Sequence, residues 1–509
     1  MISTERSAGI LLHPTSLPGP YGIGDLGPAA HAWLDSLTEA RQQWWQMLPL
    51  GPTGYADSPY QCLSTFAGNT NLISPDLLVR DGLLMPEELS GRPFMAHRVG
   101  FASVVPYKDD LLARAWNAFR AGRLPAMRSH FEEFCQGAAA WLDDYALYWA
   151  IKRTQGDTAW NTWPAALAHR EAKAISDARR DLADAIDQQR FRQFLFFRQW
   201  QDLRNHARER GVRLIGDLPI FVALDSADVW AHRELFKVDA SGKPTVVAGV
   251  PPDYFSKTGQ LWGNPLYDWK AHKKAGYRWW AERLQAVLSL VDLVRLDHFR
   301  GFEAYWEIPA DAPTAQNGRW VKGPGAGLLR ALEKQLGGLP LIAEDLGVIT
   351  PEVEKLRDDF GLPGMRILQF AFGGAVENRF LPHNFVHHTI VYTGTHDNDT
   401  TRSWYTHLTT EESHFVRRYL ARDGHDIAWD LIRLAWASVA DTAIVPLQDV
   451  LNLGGEARMN FPGTPTGNWT WRFTTEQFTP HQIHGLAELT GLYAREPGSG
   501  KPEPAGGGT

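Results

Sequence analysis

An α/β fold, a (β/α)8 barrel of the TIM type, is what this sequence predicts, and three observations predict it. Short apolar runs that close on polar or acidic residues recur along the chain. Helix-like segments separate many of them, which makes successive strands parallel. Seven or eight such βα units in 509 residues favour a closed barrel over an open doubly wound sheet.

The strand-like runs, in order, are "GILLHP" (9–14), "WQMLPLGP" (45–52), "VRLIGDLP" (212–219), "VDLVRLDH" (291–298), "LPLIAEDLG" (339–347), "HTIVYTGTHDND" (388–399) and "TAIVPLQD" (442–449). Between them, "AAHAWLDSLTEARQQ" (29–43) reads as a helix. So does "PEVEKLRDDFG" (351–361), where Pro351 suits the first turn and Gly361 a C-terminal stop. Two insertions interrupt the alternation. About 75–205 reads as helical, with Leu182, Ile186, Phe194, Leu195, Phe197, Trp200 and Leu203 roughly at helical spacing. About 222–276 is dense in Gly, Pro and aromatic residues and reads as a structureless lid or binding loop. The barrel with its insertions is expected to span 1–494, and 495–509, poor in apolar residues, to be a disordered tail.

Composition excludes several function classes. The net charge of −7, with no Lys/Arg-rich run, speaks against nucleic acid. No run reaches the ~18 apolar residues of a membrane span, and the N-terminus lacks the pattern of a secretory signal. Two cysteines, Cys62 and Cys135, fit a reducing compartment, so a cytoplasmic location is expected. The 21 tryptophans are an outlier. Aromatic faces suit sugar rings, although most of these side chains are expected to fill a large core.

Two motifs are decoys. Gly22, Gly24 and Gly27 spell a dinucleotide-binding pattern, but "HPTSLPGP" separates them from the strand, and the next strand lacks a ribose-binding acid. His383 and His387 have a helical metal spacing, yet Asn384 stands where a zinc protease needs Glu. Neither a cofactor nor a metal is expected.

Four acids carry the chemistry. Asp217, Asp297, Glu344 and Asp397 each close a strand-like run and come from separate βα units. In a parallel barrel all strand C-termini meet on one face, where active sites lie. A single acid there could cap a helix; four together point to paired-carboxylate chemistry such as glycoside cleavage. In "VRLDHFRG" (294–301), strand alternation puts Arg295 and Asp297 on one face. Arg295 is expected to lower the Asp297 pKa and keep it ionised. A structural ion pair at the barrel mouth is the alternative for this stretch alone.

Several longer motifs occur in an informative order: "LLHPTSLPGPYGIGDLG", "DSPYQ", "GDLPIFV", "VVAGVPPDYFSKTGQLWGNPLY", "VRLDHFRGFEAYWEIP", "LIAEDLGVITPEVEKLRDDFGLPGM", "YTGTHDNDTT" and "ARMNFPGT". With them the chain resembles the 4-α-glucanotransferases (amylomaltases, disproportionating enzymes; glycoside hydrolase family 77) over roughly residues 8–490. The resemblance implies a retaining barrel enzyme without a separate C-terminal β-domain. It implies transfer of an α-1,4-glucan segment to the 4-OH of an acceptor glucan or glucose. Asp297 would be the nucleophile, Glu344 the general acid/base and Asp397 the third acid. Arg295, His396 and Asp217 match supporting positions, and Tyr60, Tyr254, Phe255, Gln260, Trp262 and Asn460 match sugar contacts. Two neighbouring acids are set aside: Asp345 points away from Glu344's face, and Asp399 could cap a helix. The Asn-His pair common in the wider superfamily near "GDLPIFV" is missing, which fits this branch and speaks against transferring α-amylase details, including their calcium site. The implied partners are α-1,4-glucans and maltooligosaccharides as donor and acceptor, with no membrane and no obligate protein partner. An α-glucan hydrolase and a non-catalytic glucan-binding protein are the rival readings.

Overall fold

A computed structural model describes residues 5–89, 93–122, 124–252 and 256–496. Its core is a ring of parallel strands. They are β1 (Ser7–Leu11), β2 (Trp44–Gln46), β3 (Arg213–Pro219), β4 (Leu293–Asp297), β5 (Leu341–Ala343), β6 (Gly364–Ile367), β7 (Thr389–Tyr392) and β8 (Thr442–Pro446). In space they follow their chain order, and β8 pairs with β1 in parallel. The Ala343 N–H donates to the Pro363 carbonyl at 2.9 Å and joins β5 to the start of β6. Gly9 permits the close β1–β2 approach: a Cβ there would lie 2.4 Å from the Trp44 Cβ.

All seven expected strands are present, and the eighth, β6, was not anticipated. It is four residues long, "GMRI", and its central Arg366 breaks the apolar run. That arginine is buried against Asp345, so the position is interior although its residue type suggests surface. The expected helices form at Pro28–Glu39 and Pro351–Asp359, and Gly361 adopts the left-handed φ of 57° that suits a stop.

The first insertion is helical as expected. Its longest helices are Phe101–Arg120, Pro125–Thr154 and Ala183–Glu209. Phe119, Phe131 and Phe191 cluster between them, with Phe119 stacked 4.4 Å from Phe191. The last helix leads directly into β3, so the insertion sits between β2 and β3.

The second insertion is more ordered than its composition suggested. Val246–Val250 and Gln260–Pro265 are antiparallel strands, and Ala304–Pro309 and Arg319–Lys322 complete a four-stranded sheet with them. Glycine here serves pairing: a Cβ on Gly249 would lie 2.2 Å from the Gln260 carbonyl oxygen. The lid is therefore a sheet, and its residues 253–255 lie outside the described residues.

Arg495, expected in the tail, is instead packed into the fold. Arg495 is fully buried and donates to the carbonyls of Ser7, Trp436, Ser438 and Ala440 at 2.9–3.1 Å. A low apolar content hid this, because a buried arginine satisfying backbone carbonyls near the starts of β1 and β8 contributes no apolar residue. Residues 497–509 lie outside the described residues. Among the described residues no helix is long and apolar enough to cross a membrane. Both cysteines are free.

Candidate active site

Asp217 and Arg295 are register partners on β3 and β4, so their side chains lie side by side. The Arg295 Nη1 donates to both Asp217 oxygens at 2.9 and 2.8 Å, while Nη2 reaches the Asp297 Oδ1 at 2.9 Å. One guanidinium thus holds two carboxylates. Burial works against its charge, but Asp217 and Asp297 carry the Arg295 pKa well above its ordinary value. Tyr60, on the loop after β2, donates its hydroxyl to Asp217 Oδ2 at 2.8 Å.

Glu344 follows β5 and is held by two backbone N–H groups. That of His298 reaches Oε2 at 2.7 Å, and that of Leu346 reaches Oε1 at 2.8 Å. His298 can aim its N–H there because it leaves the strand in a left-handed conformation, φ 54° and ψ 48°. Non-glycine residues seldom adopt it, and such strain gathers at functional sites. Burial pushes the Glu344 carboxyl up to about 7; Arg295 and the two N–H groups pull down, and the Asp297 charge pushes up.

The expectation for Asp297 itself needs correction. Its pKa is raised, because burial and the charges of Asp217 and Asp397 outweigh the pull of Arg295 and His396. Arg295 limits the rise; it does not bring the carboxyl below its usual range. Yet Asp297 is the carboxyl of the pair with a guanidinium bonded to it, so a shared proton belongs on Glu344.

Asp397 sits in the loop after β7 with its side chain half exposed. Asn460 Nδ2 donates to its Oδ1 at 2.6 Å, and His396 Nε2 lies 3.3 Å from the same oxygen. The His396 ring stacks on Tyr60, with centroids 5.1 Å apart and planes 15° apart. The Tyr60–Asp217 and His396–Asp397 contacts are therefore coupled through one aromatic pair.

The lid residues stand around this centre. Trp262 meets the His298 ring edge-on at 4.9 Å and donates its indole N–H to Gln260 Oε1 at 3.1 Å. Tyr254 and Phe255 lie outside the described residues. The structure thus brings together Asp217, Arg295, Asp297, Glu344, His396, Asp397, Tyr60 and Asn460, with Gln260 and Trp262 beside them.

Three contributors were not foreseen. His298 lay inside the quoted motif, but its left-handed backbone leaves no mark in residue type. Trp469, φ 63°, walls the Tyr60–His396 stack at 5.8 and 6.1 Å; nothing distinguished it among the tryptophans. Arg458 donates from Nη2 to the Asp397 carbonyl at 2.8 Å.

The residues set aside occupy structural positions. Asp345 turns to Arg357, Arg379 and Arg366, at 2.5, 2.8 and 3.5 Å, and accepts the Met365 N–H at 2.7 Å. It joins β5 to β6. Asp399 accepts from the Ser403 hydroxyl at 2.7 Å, while Thr400 is the cap of the helix Thr401–Thr406. The glycines of the decoy pattern lie in the loop between β1 and Pro28. His383 bonds the Tyr419 hydroxyl and the Val376 carbonyl, and His387 is exposed.

Known proteins match this arrangement over nearly its whole length. The profile of the 4-alpha-glucanotransferase family, glycoside hydrolase family 77, matches residues 12–477. A 4-alpha-glucanotransferase of Thermus thermophilus is 52% identical over 496 residues, 95% of this chain and 99% of that one. One from Arabidopsis thaliana, chloroplastic/amyloplastic, is 44% identical and covers 97% of this chain and 86% of its own. Among solved structures, an amylomaltase from Streptococcus agalactiae in complex with acarbose superposes with a TM-score of 0.94 at 39% identity, covering 97% and 100%. The chain belongs to glycoside hydrolase family 77, the 4-alpha-glucanotransferase family.

Proposed function

We propose that this protein moves segments of α-1,4-glucans to the 4-OH of an acceptor glucan or glucose by a retaining double displacement. One observation carries the reading: Arg295 fixes Asp297, and the residue after Asp297 fixes Glu344 through its N–H. The two carboxyls are thus neighbours, and the proposed mechanism needs them about 5–5.5 Å apart.

Asp297 attacks C1 while protonated Glu344 gives its proton to the departing O4. A glycosyl ester forms on Asp297 and the shortened glucan leaves. The Asp297 charge, which had raised the Glu344 pKa, is consumed in that ester. Glu344 therefore becomes more acidic at the moment it is needed as a base. It then takes the proton of the acceptor 4-OH, which attacks C1, and two inversions retain the α configuration. Asp397, steadied by Asn460 and His396, binds sugar hydroxyls and supports the oxocarbenium-like transition state. Trp262 and Gln260 form the wall that favours a sugar over water as acceptor.

Incubation with maltotriose tests the function: transfer yields glucose together with chains longer than the substrate. Products that are only shorter would assign a hydrolase instead. The acid role also sets a pH dependence. Glu344 must hold its proton in the free enzyme, so kcat/KM is expected to fall as pH rises through about 7. A profile flat between about pH 6 and 8.5 would remove Glu344 from that role.

A further inference from the structure

The loop 460–468 begins at Asn460, which holds Asp397, and its next residue is unusual. Phe461 is a large apolar side chain left 44% exposed beside a charged site. Its backbone is fixed on both sides: the N–H donates to Asn468 Oδ1 at 2.9 Å, and the carbonyl accepts from the Thr464 N–H and hydroxyl at 3.1 and 2.7 Å. The Asn468 amide donates to the Thr464 carbonyl at 2.9 Å and closes the loop. The ring is backed on one side. The Arg458 guanidinium lies 4.3 Å from its centroid, and the same guanidinium donates to the carbonyls of Asp397 and Asn460, both at 2.8 Å.

We propose that Phe461 is a sugar-stacking platform on the rim, taking a glucosyl residue of the bound glucan beyond the one that Asp397 faces. The proposal rests on the glucan reading above. A ring fixed in place loses little freedom on binding. Its open face is flat and apolar, like the C–H face of a glucose ring. The neighbouring 462–467, "PGTPTG", add no large apolar side chain, so this surface fits one sugar ring and is too small for a protein partner. One guanidinium separates the platform from Asp397, so a chain passing the acid can reach it and a shorter chain cannot.

The test compares kcat/KM for maltoheptaose with that for maltotriose. In Phe461→Ala the heptaose-to-triose ratio is expected to fall roughly fivefold, the scale of one lost aromatic contact. Phe461→Tyr keeps the ring and should restore it. An unchanged ratio in Phe461→Ala overturns the proposal. So does an equal fall in both variants, which would show a loop role only. If Phe461→Ala does not fold, Phe461→Leu supports the same comparison. The ratio reports the platform whether the glucan passes to sugar or to water, so its failure is separate from failure of the maltotriose test.

Discussion

Asp297→Asn is expected to abolish transfer, with a loss on the order of 10^4-fold or more in kcat, and to leave glucan binding nearly intact. The amide cannot form the glycosyl ester, so both steps are lost together. The fold should tolerate the change, because Arg295 keeps its two contacts to Asp217. Titration of the variant with maltoheptaose should give a Kd within about threefold of the wild type. The neighbour also responds. The Asp297 charge helps raise the Glu344 pKa, so that pKa should drop in the variant. Substantial remaining activity would refute the assignment of Asp297.

Glu344→Gln separates chemistry from stability. With ordinary maltooligosaccharides kcat should fall by about 10^2–10^4, the range for loss of a general acid. A donor such as α-maltosyl fluoride, whose leaving group needs no proton, should still form the glycosyl-enzyme. Stability should move the other way. A buried carboxyl titrating at about 7 when folded and near its ordinary value when unfolded favours the folded state below that ordinary value. That contribution is lost as pH rises through about 7. At pH 8 the wild type therefore carries a buried charge that glutamine does not, so the stability of Glu344→Gln relative to wild type should rise by up to about 3 kcal/mol between about pH 4.5 and 8. Set against this is a pH-independent cost, because the amide accepts only one of the His298 and Leu346 N–H groups. Denaturant midpoints of both proteins at pH 8 and near 4.5 check this: the difference should shift towards the wild type at the lower pH. A difference between the two proteins that does not move in favour of Glu344→Gln from about pH 4.5 to 8 would contradict the raised pKa.

What was legible in the sequence follows from which signals are local. Strands announce themselves through short apolar runs that close on polar, acidic or turn residues, and seven of the eight did. β6 did not, because Arg366 is an interior position filled by a charged residue whose partner, Asp345, comes from the loop after β5. Arg295 and Asp297 could be placed together by period-two alternation alone, and the 2.9 Å contact agrees. The sign of the Asp297 shift could not, because desolvation depends on everything packed around it. Likewise His298 and Trp469 act through positive φ, which residue type seldom reveals outside glycine and asparagine. The lid sheet was hidden because its glycines, read as loop markers, serve close strand pairing.

The central claim is a covalent bond between the glucan and Asp297. Mass spectrometry of Glu344→Gln after brief exposure to α-maltosyl fluoride tests it most directly. The account predicts a mass increase of one maltosyl group, mapped by proteolysis to the peptide carrying Asp297. Fluoride release with no protein adduct, or an adduct on another residue, would contradict it.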